Sequence, residues 1–79
     1  MHYVYVLKSL KDGELYVGCT SDIENRVECH NNGKVRSTKY RVPFELMYSE
    51  KYENKYEAFR MERYYKTAVG KRKLLSKIK

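Results

Sequence analysis

Lys11-Asp12-Gly13 separates two short runs of strand-forming residues, and this arrangement constrains the fold more than any other feature of the chain. Tyr3-Val4-Tyr5-Val6-Leu7 precedes the turn and Glu14-Leu15-Tyr16-Val17-Gly18 follows it. Both runs are rich in aromatic and β-branched side chains that suit a pleated, half-buried surface. Glycine adopts φ > 0 without a Cβ clash and aspartate tolerates the adjoining turn position, so the segment predicts an antiparallel hairpin. Alternation with period two puts Tyr3, Tyr5 and Leu7 on one face and Val4 and Val6 on the other.

Ser21-Asp22-Ile23-Glu24 has the spacing of a capping box, so a helix is expected to start with Ser21 as its cap. Ile23, Val27 and His30 or Asn31 form an inward stripe, and Asn31-Asn32-Gly33 supplies the stop. Arg26 and His30, four residues apart, project along one flank of that helix. Residues 34–43 read as a basic loop ended by Pro43, and Phe44 to Tyr52 as a third strand with a twist or bulge. Asn54 with Glu57 signals a further cap. Ala58, Met61, Tyr65 and Val69 then give the longest helical stripe, closed by Gly70, with Glu62 at the edge of its buried face. Leu74, Leu75 and Ile78 make the tail a short amphipathic helix. The order is ββαβαα, an α+β fold with a three-stranded antiparallel sheet flanked by helices.

Seventy-nine residues leave room for one domain, 1–79. A chain of this size removes only about 60% of its unfolded surface from water, so a site is expected on the surface or in a shallow cleft. No apolar run approaches the roughly 18 residues of a membrane span, and Met1-His2-Tyr3 does not open a signal peptide, which makes the cytoplasm the expected location. Cys19 and Cys29 match neither a disulfide framework nor a zinc ligand set and read as free thiols.

The net charge of +7 is unevenly spread. Residues 1–30 hold three basic and five acidic side chains, a net of −2, so residues 31–79 carry +9. Lys34, Arg36, Lys39 and Arg41 cluster without an intervening acid, and Arg60, Arg63 and Lys66 lead into Lys71-Arg72-Lys73. Such a footprint suits a polyanion, and several Lys or Arg contacts to phosphates give salt-dependent affinity for nucleic acid. Tyr40 between Lys39 and Arg41 is placed to stack on an exposed base. Tyr48, Tyr52, Tyr56, Tyr64 and Tyr65 read as core-edge or surface packing.

Four features occur in order along the chain. They are Tyr3-Val4-Tyr5, Tyr16-Val17-Gly18-Cys19-Thr20 beginning eleven positions after Tyr5, Arg26-Val27-Glu28-Cys29-His30-Asn31-Asn32-Gly33, and Glu62 within a helix. This ordered set resembles the GIY-YIG nuclease superfamily, especially its small stand-alone proteins similar to the N-terminal nuclease domain of an excinuclease. The resemblance implies hydrolysis of a DNA phosphodiester assisted by one divalent ion, Mg²⁺ or Mn²⁺. It also implies catalytic roles for Tyr5, Tyr16, Arg26, His30 and Glu62, with Glu62 as the metal ligand. Gly18 matches the glycine of the second motif, where a missing Cβ lets the DNA backbone approach. Cys19 stands where some members carry a lysine.

These residue types fit the reaction. Arginine offers a permanently charged planar fork to phosphoryl oxygens, and one carboxylate suits an ion that keeps most of its waters. A phenol of pKa about 10 is a poor base unless His30 takes its proton or Arg26 and the metal lower its pKa. Which tyrosine accepts the proton stays open, and the pair is given a joint role. The expectation is therefore a monomeric DNA endonuclease of low sequence specificity, acting in repair or recombination and targeted by DNA shape or a protein partner. The competing readings are a catalytically weak nucleic-acid-binding module on the same scaffold and a domain whose basic face meets an acidic protein.

Overall fold

In a computed structural model that describes residues 1–78, strands β1 (His2–Ser9) and β2 (Leu15–Thr20) form the expected hairpin. Gly13 adopts φ +74°, Ser9 Oγ accepts the Lys11 and Asp12 amides, and Asp12 Oδ1 accepts the Glu14 amide. Strand β3 (Phe44–Tyr52) pairs antiparallel with the other side of β1, giving the order β2-β1-β3. Val6 faces Tyr48 while Leu7 faces Leu46, so Met47 is the extra residue of a bulge.

The alternation of β1 divides the interior in two. Val4 and Val6, with Val17, pack against Ala58, Tyr65 and Leu74. Tyr5 and Leu7, on the other face, pack with Phe44, Tyr16, Val27 and Val42. The central strand is thus covered on both sides, and each large apolar side chain buried there contributes about 1.5–3 kcal/mol.

Helix α1 (Ile23–Asn31) covers the tyrosine face. Its cap is Asp22, whose carboxylate accepts the Asn25 amide at 3.1 Å, and this corrects the expectation of Ser21. The Thr20 hydroxyl accepts the Asp22 amide, which leaves Asp22 in the extended cap conformation with an ionised acceptor facing the helix amides. The expected stop holds, with Gly33 at φ +71°. Asn31 fastens this end to β3 by accepting the Phe44 amide at 2.6 Å and donating to the Phe44 carbonyl.

The valine face is covered by α2 (Lys55–Tyr65), capped by Asn54, and α3 (Ala68–Ile78). The expected single helix reaching Val69 is corrected here: the chain breaks at Lys66-Thr67, Val69 is exposed, and Gly70 lies inside α3. Thr67 Oγ1 donates to the Tyr64 carbonyl and accepts the Gly70 amide, so one side chain ends α2 and starts α3. A Cβ on Gly70 would overlap the Tyr64 carbonyl. Among the described residues no helix is long and apolar enough to cross a membrane.

Where β3, α2 and α3 meet, the Glu50 carboxylate accepts hydrogen bonds from the Tyr48, Tyr52 and Tyr65 hydroxyls and the Lys77 ammonium at 2.7–2.8 Å. Burial alone would raise its pKa. The four donors prevail and hold it at about 2, against an ordinary 4.5. A depressed carboxyl contributes stability that is complete above pH 4.5 and is lost as the pH falls toward 2. Urea titrations followed by circular dichroism are expected to show about 3 kcal/mol lost over this window through Glu50. Glu50→Gln protein, with no charge to protonate there, should show a shallower loss, and equal pH slopes in the two proteins would contradict the assignment.

Candidate active site

Tyr5 and Gly18 are directly opposed in the β1–β2 ladder, and the Tyr5 ring lies over the glycine. A Cβ on Gly18 would run into the Tyr5 hydroxyl and ring, so the glycine has an internal reason to be there. Tyr16 is two residues away on the same face of β2, with its ring centroid 6.4 Å from that of Tyr5. Strand alternation and one missing side chain therefore bring the two motif tyrosines together.

Helix α1 supplies the next two groups. His30 is fully buried and places Nε2 3.1 Å from the Tyr5 hydroxyl, with its ring against Tyr16 at 5.0 Å and Phe44 at 5.7 Å. Arg26, one turn earlier and half-buried, donates from Nε to the same hydroxyl at 3.4 Å. The shared flank expected of these two residues thus converges on one oxygen.

Loop residue Thr38, buried, holds the far side of the imidazole through a 2.8 Å contact between Oγ1 and His30 Nδ1. The Thr38 hydroxyl also lies 3.5 Å from the Val35 carbonyl, to which it can only donate. When that proton goes to Val35, Nδ1–H donates to Thr38 and Nε2 carries the lone pair that accepts from Tyr5. Burial, helped by the charge of Arg26, lowers the His30 pKa and favours the neutral ring. Burial raises the Tyr5 phenol, and the bond from Arg26 offsets this only in part.

Glu62 reaches the region from α2, on the opposite side of β2. Its side chain is mostly buried and its carboxylate pairs with Lys66 Nζ at 3.3 Å. Its charge is felt at both the Tyr5 phenol and the Cys19 thiol, and each of those pKa values is raised principally by burial. Lys66 Nζ lies 6.0 Å from the Tyr16 ring centroid. Among the described residues no group of three or more His, Cys, Asp or Glu side chains converges on one point. Glu62 is the carboxylate whose charge is felt at the Tyr5 hydroxyl, and a single carboxylate suits an ion that retains most of its waters and takes further oxygens from a phosphate. Cys19 and Cys29 are free.

The basic loop divides into an outward and an inward set. Lys34, Arg36, Lys39 and Tyr40 are exposed, and Lys39 Nζ sits 4.9 Å from the centre of the Tyr40 ring. Arg41 is tied down, with Nε 2.9 Å from Asp12 Oδ2 and its guanidinium over Phe44. It braces the loop on the hairpin turn, as do the bonds from Lys11 Nζ to the Tyr40 carbonyl and from Ser9 Oγ to the Arg41 carbonyl. Thr38 is not legible as a site residue in the sequence, because nothing local distinguishes it from the neighbouring Ser37. Asn31 stands inside the quoted motif, but its pairing with Phe44 depends on a strand thirteen residues away.

The chain matches, over residues 1–75, the family described as GIY-YIG catalytic domain. It is 45% identical over 74 residues to the UPF0213 protein SSP2268 of Staphylococcus saprophyticus, covering 92% of this chain and 89% of that one. It is 43% identical over 75 residues to the UPF0213 protein YazA of Bacillus subtilis, covering 94% and 75%. The solution NMR structure of the UPF0213 protein BH0048 from Bacillus halodurans is similar with a TM-score of 0.58 and 38% identity, covering 95% of this chain and 82% of that one.

Proposed function

Because the chain belongs to the GIY-YIG catalytic domain family, we propose that residues 1–79 act as a single nuclease domain, a divalent-metal-dependent DNA endonuclease of low sequence specificity. The observation that carries this reading is the hydrogen-bonded chain from Arg26 through the Tyr5 hydroxyl to His30 Nε2.

Hydrolysis of a phosphodiester needs a proton acceptor for the attacking water and positive charge for the phosphoryl oxygens. A free phenolate would be costly at Tyr5, whose pKa is raised. The relay avoids it: the Tyr5 oxygen accepts a proton from water as its own proton passes to the vacant Nε2 of neutral His30. The relay uses the tautomer in which Nδ1–H donates to Thr38 and Nε2 is open. Tyr16, half-buried beside both rings, completes the wall of the site and shares the joint role of the tyrosine pair. Arg26 has guanidinium N–H groups beyond the one bonded to Tyr5, and these meet the phosphoryl oxygens. Glu62 would hold Mg²⁺ or Mn²⁺, which neutralises phosphate charge and polarises the scissile bond. Lys66 engages only Oε2 of that carboxylate.

Lys34, Arg36, Lys39 and Tyr40 form the DNA-binding rim, Arg41 braces it, and Gly18 keeps the floor low beneath Tyr5. In this reading the protein works in the cytoplasm as a monomer, in repair or recombination, with a partner protein or DNA shape directing it.

The reading is tested by incubating purified protein with supercoiled, branched and single-stranded DNA in Mg²⁺, Mn²⁺ or EDTA. Cutting is expected with a divalent ion, and none in EDTA or with Glu62→Gln protein. DNA binding without cutting on any substrate would replace the enzyme by a binding module. Cleavage undiminished in the Glu62→Gln protein would expose a contaminant.

A further inference from the structure

The outward face of α2 has no role in the chemistry above, yet it is built unlike an ordinary solvated helix surface. Tyr56, Phe59, Arg60 and Arg63 recur at i, i+3, i+4 and i+7 and so share one face, opposite Ala58, Met61 and Tyr65, which face the core. Tyr56 is 66% and Phe59 42% exposed. The four side chains line a shallow depression of about 310 Å³. Lys55 Nζ lies 5.3 Å from the Tyr56 ring centroid, and His2 meets Phe59 edge-on at 6.2 Å, leaving the Phe59 ring fixed but open. Of the core-edge or surface packing expected of Tyr56, the surface alternative is the one observed.

We propose that this face is a binding site for an unpaired DNA strand, with bases stacking on Tyr56 and Phe59 and phosphates paired to Arg60 and Arg63. It rests on the nuclease reading above and adds a second contact region to it, separate from the loop at residues 34–41. Exposed aromatic rings between cations provide what a single strand needs, since every base has a π face and every linkage a negative charge. A duplex would leave the rings unused, because its bases are already stacked. A second copy of the chain fits poorly: a two-fold contact through this face would set Arg60 and Arg63 against their own equivalents. Glu62 is one helical turn from Phe59 on the adjoining flank, so a strand held here continues within about 5 Å of helix length to the proposed metal ligand.

The test uses the full chain and a fluorescein-labelled twelve-nucleotide oligo(dT), with a blunt duplex for comparison, by anisotropy at several salt concentrations. Tyr56→Ala and Phe59→Ala are each expected to weaken oligo(dT) binding about tenfold. Phe59→Leu should weaken it nearly as much, because it keeps the apolar bulk at His2 and removes only the ring face. Arg60→Gln and Arg63→Gln should each reduce the salt slope by about 0.7. Duplex binding should change less than twofold in the aromatic variants. Oligo(dT) affinity unchanged in the aromatic variants overturns the site while leaving the nuclease reading intact if duplex is still cut. A concentration-dependent dimer in sedimentation that the aromatic variants abolish also overturns it, in favour of a second copy. Absence of both DNA binding and cleavage in the unaltered protein removes the nuclease reading and this site together.

Discussion

Arg26→Ala is expected to lower kcat by about 10²–10³-fold while leaving the dissociation constant for DNA within about threefold. Arg26 is half-buried and its Nε is engaged with the Tyr5 hydroxyl, which tethers the guanidinium beside the relay before substrate arrives. A donor preorganised in this way acts mainly on the charge that develops in the transition state, and loss of one such donor in other enzymes has that cost. Ground-state affinity comes instead from the exposed cations of the loop, several of which share the load. Arg26→Lys should recover only part of the rate, because an ammonium keeps the charge but not the planar fork. Single-turnover cleavage and anisotropy on the same substrate separate the two quantities. A fall in affinity at unchanged kcat would move Arg26 from the reaction to simple binding.

Gly70→Ala is expected to destabilise the fold by about 3 kcal/mol and lower Tm by roughly 15 °C. The position is inside α3, where alanine ordinarily favours a helix, so intrinsic propensity argues for the opposite sign. The steric term is larger. A Cβ there would occupy the space of the Tyr64 carbonyl, a main-chain atom of the last turn of α2. Relief requires the elbow at Lys66-Thr67 to open, which breaks the paired bonds of Thr67 and lifts Leu74 from the valine-face core. Thermal unfolding by circular dichroism measures the result, and a Tm at or above that of the unaltered protein would show that the elbow opens freely.

The two glycines at turns are legible in the sequence because their requirement is local. Lys11-Asp12-Gly13 and Asn31-Asn32-Gly33 announce a positive φ, and Gly13 and Gly33 have it. Gly18 and Gly70 are glycines because of what lies across from them, a tyrosine ring on the next strand and a carbonyl on the preceding helix. Neither neighbour is visible in sequence, and Gly70 accordingly reads there as a helix stop. The same distinction applies to the site. Alternation along β1 and the four-residue interval from Arg26 to His30 are enough to align Tyr5, Arg26 and His30. The role of Thr38 depends on how a loop folds back, and Asn31 acts through a strand edge. At Glu50 the gathering of Tyr48, Tyr52, Tyr65 and Lys77 joins three elements, so a cluster that orders the core reads in sequence only as scattered aromatic packing.

The bulge at Met47 has a bearing on the exposed edge of β3. The strand order leaves β3 at one rim of the sheet, and its nine residues present main-chain groups that a strand from another molecule could extend. Met47 interrupts that rim, leaving a three-residue stretch on one side and a five-residue stretch on the other, and the local twist turns them out of line. Charged Glu45 and Lys51 stand on either side. The irregularity that lets β3 follow β1 thus also denies an incoming strand a straight ladder along this rim.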